Sequence, residues 1–153
     1  MKRKYLFLAV IISVMFLVTG CSSNSEEKTM TCSRTMDQNE MKTSLSYKIS
    51  YKGDYVTRVK SEESIETSDT STLDTYKEQI EKIYSPYKDV KYYQYNVTID
   101  GNKLISTVDI NYALIDADKL IEIDSANSQL IKDGKVKISD VKSLYEQLGA
   151  TCK

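Results

Sequence analysis

Three thiols are the most reactive groups in this chain: Cys21, Cys32 and Cys152. There is no histidine anywhere in the sequence, which removes Ser-His-Asp and Cys-His catalysis and the common zinc sites. Ser139-Asp140-Val141-Lys142 and Ser85-Pro86-Tyr87-Lys88 both fit S-x-x-K, a nucleophile motif whose S-D-N and K-T-G partners are missing here. Two occurrences in so short a chain show how cheaply the motif arises, and Ser139 reads better as a helix cap. Asp116, Asp118, Glu122 and Asp124 offer oxygen ligands, but Leu120 and Ile121 break the alternation that a calcium loop needs. They read as a solvated acidic edge, and Glu62, Glu63, Glu66 and Asp69 as an exposed strand end and loop. No catalytic residue, metal ligand or cofactor is expected. Tyr92, Gln94 and Asn96 remain as a candidate ligand-binding surface, because aromatic and amide side chains together hold sugars or peptides. The competing reading is an ordinary polar strand face.

The surroundings of Cys21 suggest an anchor. Lys2, Arg3 and Lys4 precede an almost wholly apolar run of about fourteen residues, Tyr5 to Val18, followed by Thr19, Gly20 and Cys21. This is the order of a signal peptide. A permanent bilayer span wants roughly 20 apolar residues. The junction resembles the lipobox of bacterial lipoproteins, with Val18 where leucine is commoner. That resemblance implies removal of residues 1–20 and a diacylglyceryl group on Cys21, whose two acyl chains are what stable anchoring takes. Residues 21–31, rich in serine and charge, read as a flexible tether. The expected address is the extracytoplasmic face of the cell membrane.

With Cys21 committed to lipid, Cys32 and Cys152 are left as an even pair in a secreted chain. One stands where the tether gives way to the domain, the other next to last in the chain. Chain ends of a domain often lie close together. A strand at TMTCS beside ATCK would bring the two within disulfide reach, and a disulfide is expected. The alternatives are two free thiols or an intermolecular bridge.

Without its leader the chain is still long enough for one domain, 32–153. It then carries eighteen basic and 22 acidic residues, a net charge of −4, which argues against nucleic acid. Both phenylalanines lie in the leader, and the remainder holds eleven tyrosines and no tryptophan. A core of Ile, Val and Leu rimmed by tyrosine is expected, because a buried phenol needs a partner for its hydroxyl.

The elements follow from periodicity. Leu45, Tyr47, Ile49 and Tyr51 alternate with polar residues, and after Lys52-Gly53-Asp54 a second run puts Tyr55, Thr57, Val59, Ser61 and Ile65 on one face. Together they predict an antiparallel hairpin, with TMTCS as a short strand beside it. Leu73, Tyr76, Ile80, Ile83, Tyr84 and Tyr87 predict an amphipathic helix from about Thr72 to Ser85, capped by Ser71 and stopped before Pro86. Alternating runs on either side of Asp100-Gly101 predict a second hairpin. SANSQLIKDG predicts a short helix ending at Gly134, and SDVKSLYEQLG another, capped by Ser139 and closed by Gly149. The fold class is therefore α+β: an antiparallel sheet of two hairpins against one longer and one or two shorter helices.

The lipobox, the TCS stretch, YKGDYV, the Lys/Glu/Tyr-bearing helix, NVTID and the tail SDVKSLYEQLGATCK are similar to the YehR-like bacterial lipoproteins. The resemblance covers nearly the whole chain after the leader. It implies a secreted lipoprotein with one α+β domain, and carries over no substrate, cofactor or functional residue. The function expected is non-enzymatic binding of a small molecule, a peptide or an envelope protein. A structural accessory acting through a sheet edge is the alternative, and a small hydrolase a more distant one.

Overall fold

A computed structural model describes residues 26–38 and 40–153. Cys21 and the leader lie outside the described residues. One sheet of six strands organises the molecule: β1 (Glu27–Gln38), β2 (Met41–Lys52), β3 (Tyr55–Thr67), β4 (Tyr93–Asp100), β5 (Lys103–Ile110) and β8 (Thr151–Cys152), in the order β4-β5-β3-β2-β1-β8. All its pairings are antiparallel. Helix α1 (Thr70–Tyr84) joins β3 to β4. Helix α2 (Ala117–Ile123), the small hairpin β6 (Ile131–Lys132) and β7 (Lys135–Val136), and helix α3 (Ile138–Gln147) follow β5. This is the α+β architecture the periodicities predict.

Strand alternation builds the layers. On β5, Leu104, Ser106 and Val108 point inward and are all at most 8 % exposed. Their neighbours in register, Val97 and Tyr95 on β4 and Ile65, Glu63 and Ser61 on β3, line the same face. Leu73 of α1 and Val141 of α3 close over this face and are buried with it. The opposite face, with Lys48, Lys60, Thr107 and Asp109, is polar and carries no helix among the described residues, a common solution for antiparallel sheets.

Several local expectations are corrected. The first strand has twelve residues and starts at Glu27, so 27–31 belong to the sheet and not to the tether. A bulge leaves Thr57 unopposed between the pairs Ser50–Arg58 and Tyr51–Val56. Such an extra residue re-aims its neighbours, so Val56 is buried beside Val59 in place of Tyr55 and Thr57. Asp69, not Ser71, caps α1: its carboxylate accepts from the Ser71 amide at 3.1 Å and from the Ser71 and Thr72 hydroxyls at 2.6 Å. Those bonds, Ser71 first, hold its pKa below the usual carboxylate range. Ser139 caps nothing. The chain stays extended to Lys137 through its bridge with Tyr55, and the first helical amide, Ile138, donates to the Asp54 carbonyl at 2.9 Å.

SANSQLIKDG does not run as one helix to Gly134: Ser125–Gln129 form a short 3-10 helix, and the β6–β7 hairpin follows. Asp133 and Gly134 make its turn, at φ of 51° and 70°, the left-handed pair that a two-residue hairpin loop requires. The acidic stretch forms α2, with Asp116 accepting from the amides of Asp118 and Lys119, and Asp124 capping the next turn. Its apolar member Leu120, the residue that spoils a calcium loop, is buried.

Cys32 and Cys152 are joined by a disulfide, their α-carbons 4.0 Å apart. Thr31 and Lys153 exchange two backbone hydrogen bonds of 2.8 Å. The cysteines are therefore the next, non-hydrogen-bonded pair, where antiparallel strands come closest. Arg34, two residues on, donates to the carbonyl of Leu148 at the end of α3. There Gly149, at φ 83°, and Ala150 close the helix by bonding back to Glu146 and Tyr145. A left-handed glycine is the usual residue at such an end.

Candidate functional site

The inner face of the sheet lines an open-sided cavity of about 180 Å³ beneath α3 and the end of α1. Five half-buried tyrosines line it: Tyr47 on β2, Tyr93 on β4, Tyr84 as the last residue of α1, Tyr112 just past β5, and Tyr145 on α3. Tyr145 stacks on Tyr47 with ring centres 4.1 Å apart, an aromatic contact that fixes α3 to the sheet. Tyr93 is held in the same way by Tyr87, 4.7 Å away.

Glu63 is the carboxylate among these rings. The Tyr47 hydroxyl donates to it at 2.8 Å. Among the described residues no lysine or arginine reaches it. Ser106, directly opposite Glu63 in the β3–β5 register, is 1 % exposed, and its hydroxyl has no hydrogen-bond partner among the described residues. Burial pushes all five phenols upward in pKa, Tyr112 to about 12. The negative charge of Glu63 adds to the rise at Tyr47, Tyr84 and Tyr145. All five are therefore neutral near pH 7, with their rings and hydroxyls available to a ligand.

The surface expected from sequence is divided. Gln94 and Asn96 do point outward and line one open groove of about 510 Å³ on the outer face, with Lys48, Lys60, Glu62 and Asp109. Tyr92 is not among its residues. It lies in the turn before β4, at φ 70°, with the Lys91 ammonium 4.8 Å from its ring centre. Of the groove's charges, Asp109 is answered: Arg58 grips it through two bonds of 2.7 and 2.6 Å, and the Lys60 ammonium lies 3.4 Å away. These bonds, Arg58 first, hold the Asp109 pKa below the usual carboxylate range.

Glu63 is hidden in the sequence by the acidic run around it. One signal points inward: Glu63 has the parity of Val59, Ser61 and Ile65, whereas Glu62 and Glu66 have the other. No group of three or more acidic or cysteine side chains among the described residues is placed to hold a metal ion. No helix among them is long and apolar enough to cross a membrane.

Comparison with known proteins places the fold. The NMR structure of Escherichia coli YehR superposes with a TM-score of 0.59 at 17% identity, over 84% of this chain and 92% of that one. The NMR structure of a protein from Streptococcus pneumoniae TIGR4 gives 0.52, also at 17% identity, over 85% and 87%. At such identities the likeness is one of fold. No curated protein matches the chain. The model of a family described as "Protein of unknown function (DUF1307)" matches residues 30–151. The strand order, the closing helices and this match agree: the chain belongs to the DUF1307 family and has the YehR-like α+β fold.

Proposed function

We propose that this protein is a lipid-anchored envelope lipoprotein, held at the membrane through Cys21, whose domain is a non-enzymatic binder of a small molecule. The observation that carries the binding half is the tyrosine-walled cavity. It has hydrogen-bonding groups on an apolar wall, the usual make-up of a ligand site. Its volume is about 180 Å³. That is smaller than the roughly 300–1,000 Å³ of drug-sized pockets, so a compact solute suits it. The anchor half rests on the basic residues, apolar run and VTGC of the leader, in the order a signal peptide has.

The two halves are tested separately. Native mass spectrometry of the full protein purified from its own envelope should show a small-molecule adduct. Leu144→Trp, which fills the rim of the cavity from a half-exposed position, should abolish it. An adduct that survives this substitution, or none at all, would count against the cavity. Cys21→Ser should leave an unprocessed precursor that takes up no palmitate analogue, and normal processing would refute the anchor.

A second reading has its own observation. β4 is an eight-residue edge strand with Gln94 and Asn96 facing outward, a surface on which a partner's strand could add. Co-purification of an envelope protein, lost when Ile99, whose amide faces the open edge, is replaced by proline, would support it.

A further inference from the structure

If the tyrosine-walled cavity is the binding site, its lining narrows the ligand to one chemical class. We propose that it takes a small organic cation, an alkylammonium, with Glu63 as the counter-charge and the tyrosine rings as the walls. The inference rests on the ligand-binding reading above and goes beyond it in naming the charge.

Glu63 is half-buried, receives one hydrogen bond from Tyr47, and has no ammonium or guanidinium partner among the described residues. An ionised carboxylate accepts through two oxygens and about four lone-pair positions, so most of its capacity is unused by the protein. A neutral solute entering the cavity would strip water from this group and leave its charge uncompensated, which is costly. An anion would be repelled. A cation would gain the charge and, at the same time, the electron-rich faces of the tyrosines. Attraction of this kind strengthens once the site is desolvated.

Size limits the ligand further. The cavity volume of about 180 Å³ matches the liquid volume of roughly six waters. That is enough for an ammonium with a few carbons and too little for an extended polyamine. The outer groove, though larger, lacks this character: Arg58 and Lys60 already occupy its Asp109, and its other carboxylate, Glu62, is exposed to water with no ring of tyrosines around it among the described residues.

The test uses the full chain in detergent micelles with isotope-labelled tyrosine rings. The probes are tetramethylammonium and its neutral counterpart of similar shape, tert-butanol. Tetramethylammonium should shift the Tyr47 and Tyr145 ring signals saturably, and tert-butanol should bind far more weakly. Glu63→Gln keeps an oxygen to accept from Tyr47 and removes the charge. It should weaken tetramethylammonium binding roughly ten- to hundredfold. Glu62→Gln makes the same charge change one residue away on the outer face and should leave binding unchanged. Equal binding of the two probes would overturn the cation and leave the cavity as a site for neutral solutes. An equal loss in Glu62→Gln would overturn it by moving the cation to the outer face. If neither probe moves the tyrosine signals, the cation and the cavity reading fall together.

Discussion

Glu63 and Asp109 sit on neighbouring strands of one sheet, on opposite faces, and their surroundings answer their charge in opposite ways. Asp109 is gripped by Arg58 and approached by Lys60. Glu63 has one phenol and a ring of tyrosines. On the outer face, water is near, and two long basic side chains neutralise a carboxylate at little desolvation cost. On the inner face, a lysine or arginine in the same role would have to be buried with its partner, and burying an ion pair rarely repays itself. The inner face uses tyrosine instead, which supplies apolar area and a hydroxyl together. The outer charge is complete without a ligand and the inner one is not.

The strongest expected difference between the two faces is in alkali. Phenols whose folded pKa is raised favour the folded state while neutral. Their contribution is whole below the unfolded tyrosine value of about 10. It is lost as pH rises through the folded values, about 12 for Tyr112. Denaturant midpoints followed with tyrosinate absorbance should therefore fall steeply above about pH 10. Asp109 has the opposite sign. Its pKa is lowered, which gives stability present above the unfolded carboxylate value and lost as pH falls through the folded one. A flat alkaline limb would mean that the inner tyrosines are not shielded.

Next in size is a pair of truncations on one strand. Leu104 is fully buried and its neighbour Ile105 faces outward. Leu104→Ala should cost about 2–5 kcal/mol, cavity term included, and Ile105→Ala about 1 kcal/mol or less. Urea denaturation of both variants checks the contrast, and similar losses would contradict the assignment of faces.

The smallest effect compares the two carboxylates directly. Tyr47→Phe leaves Glu63 without its one hydrogen bond and should cost about 1–3 kcal/mol. Arg58→Ala leaves Asp109 with Lys60 on an exposed face, where solvent screens the pair, and should cost less. A larger loss in the arginine variant, read from the same denaturation curves, would reverse the ranking of the two faces.

Where residues answer to one dominant constraint, the sequence is a sufficient guide. The runs around Asp100-Gly101 need one face dry and one wet, and they form β4 and β5. The stripe from Leu73 to Tyr84 forms α1. The length of the first strand is harder to see, because EKTMTCSRTMDQ buries only Met30 and Cys32, too few to show alternation. That length comes from pairing with β2 along all twelve residues. Strand order is illegible because the β3–β5 pairing joins residues more than thirty positions apart, and no local pattern records it. The cavity is illegible for a similar reason. Its tyrosines come from β2, α1, β4, the turn after β5, and α3, and only the fold brings them to one glutamate.

The bond between Cys32 and Cys152 also bears on mechanics. Tension applied from outside the Cys32–Cys152 pair can extend only the residues that lie beyond the two cysteines. The cysteines are separated by 120 positions. That span, if freed, would contribute roughly 400 Å of contour length. The disulfide removes this length from the path of the force. A protein pulled by its two ends would then yield a short, stiff segment and keep its tyrosine-walled cavity intact until the bond is reduced.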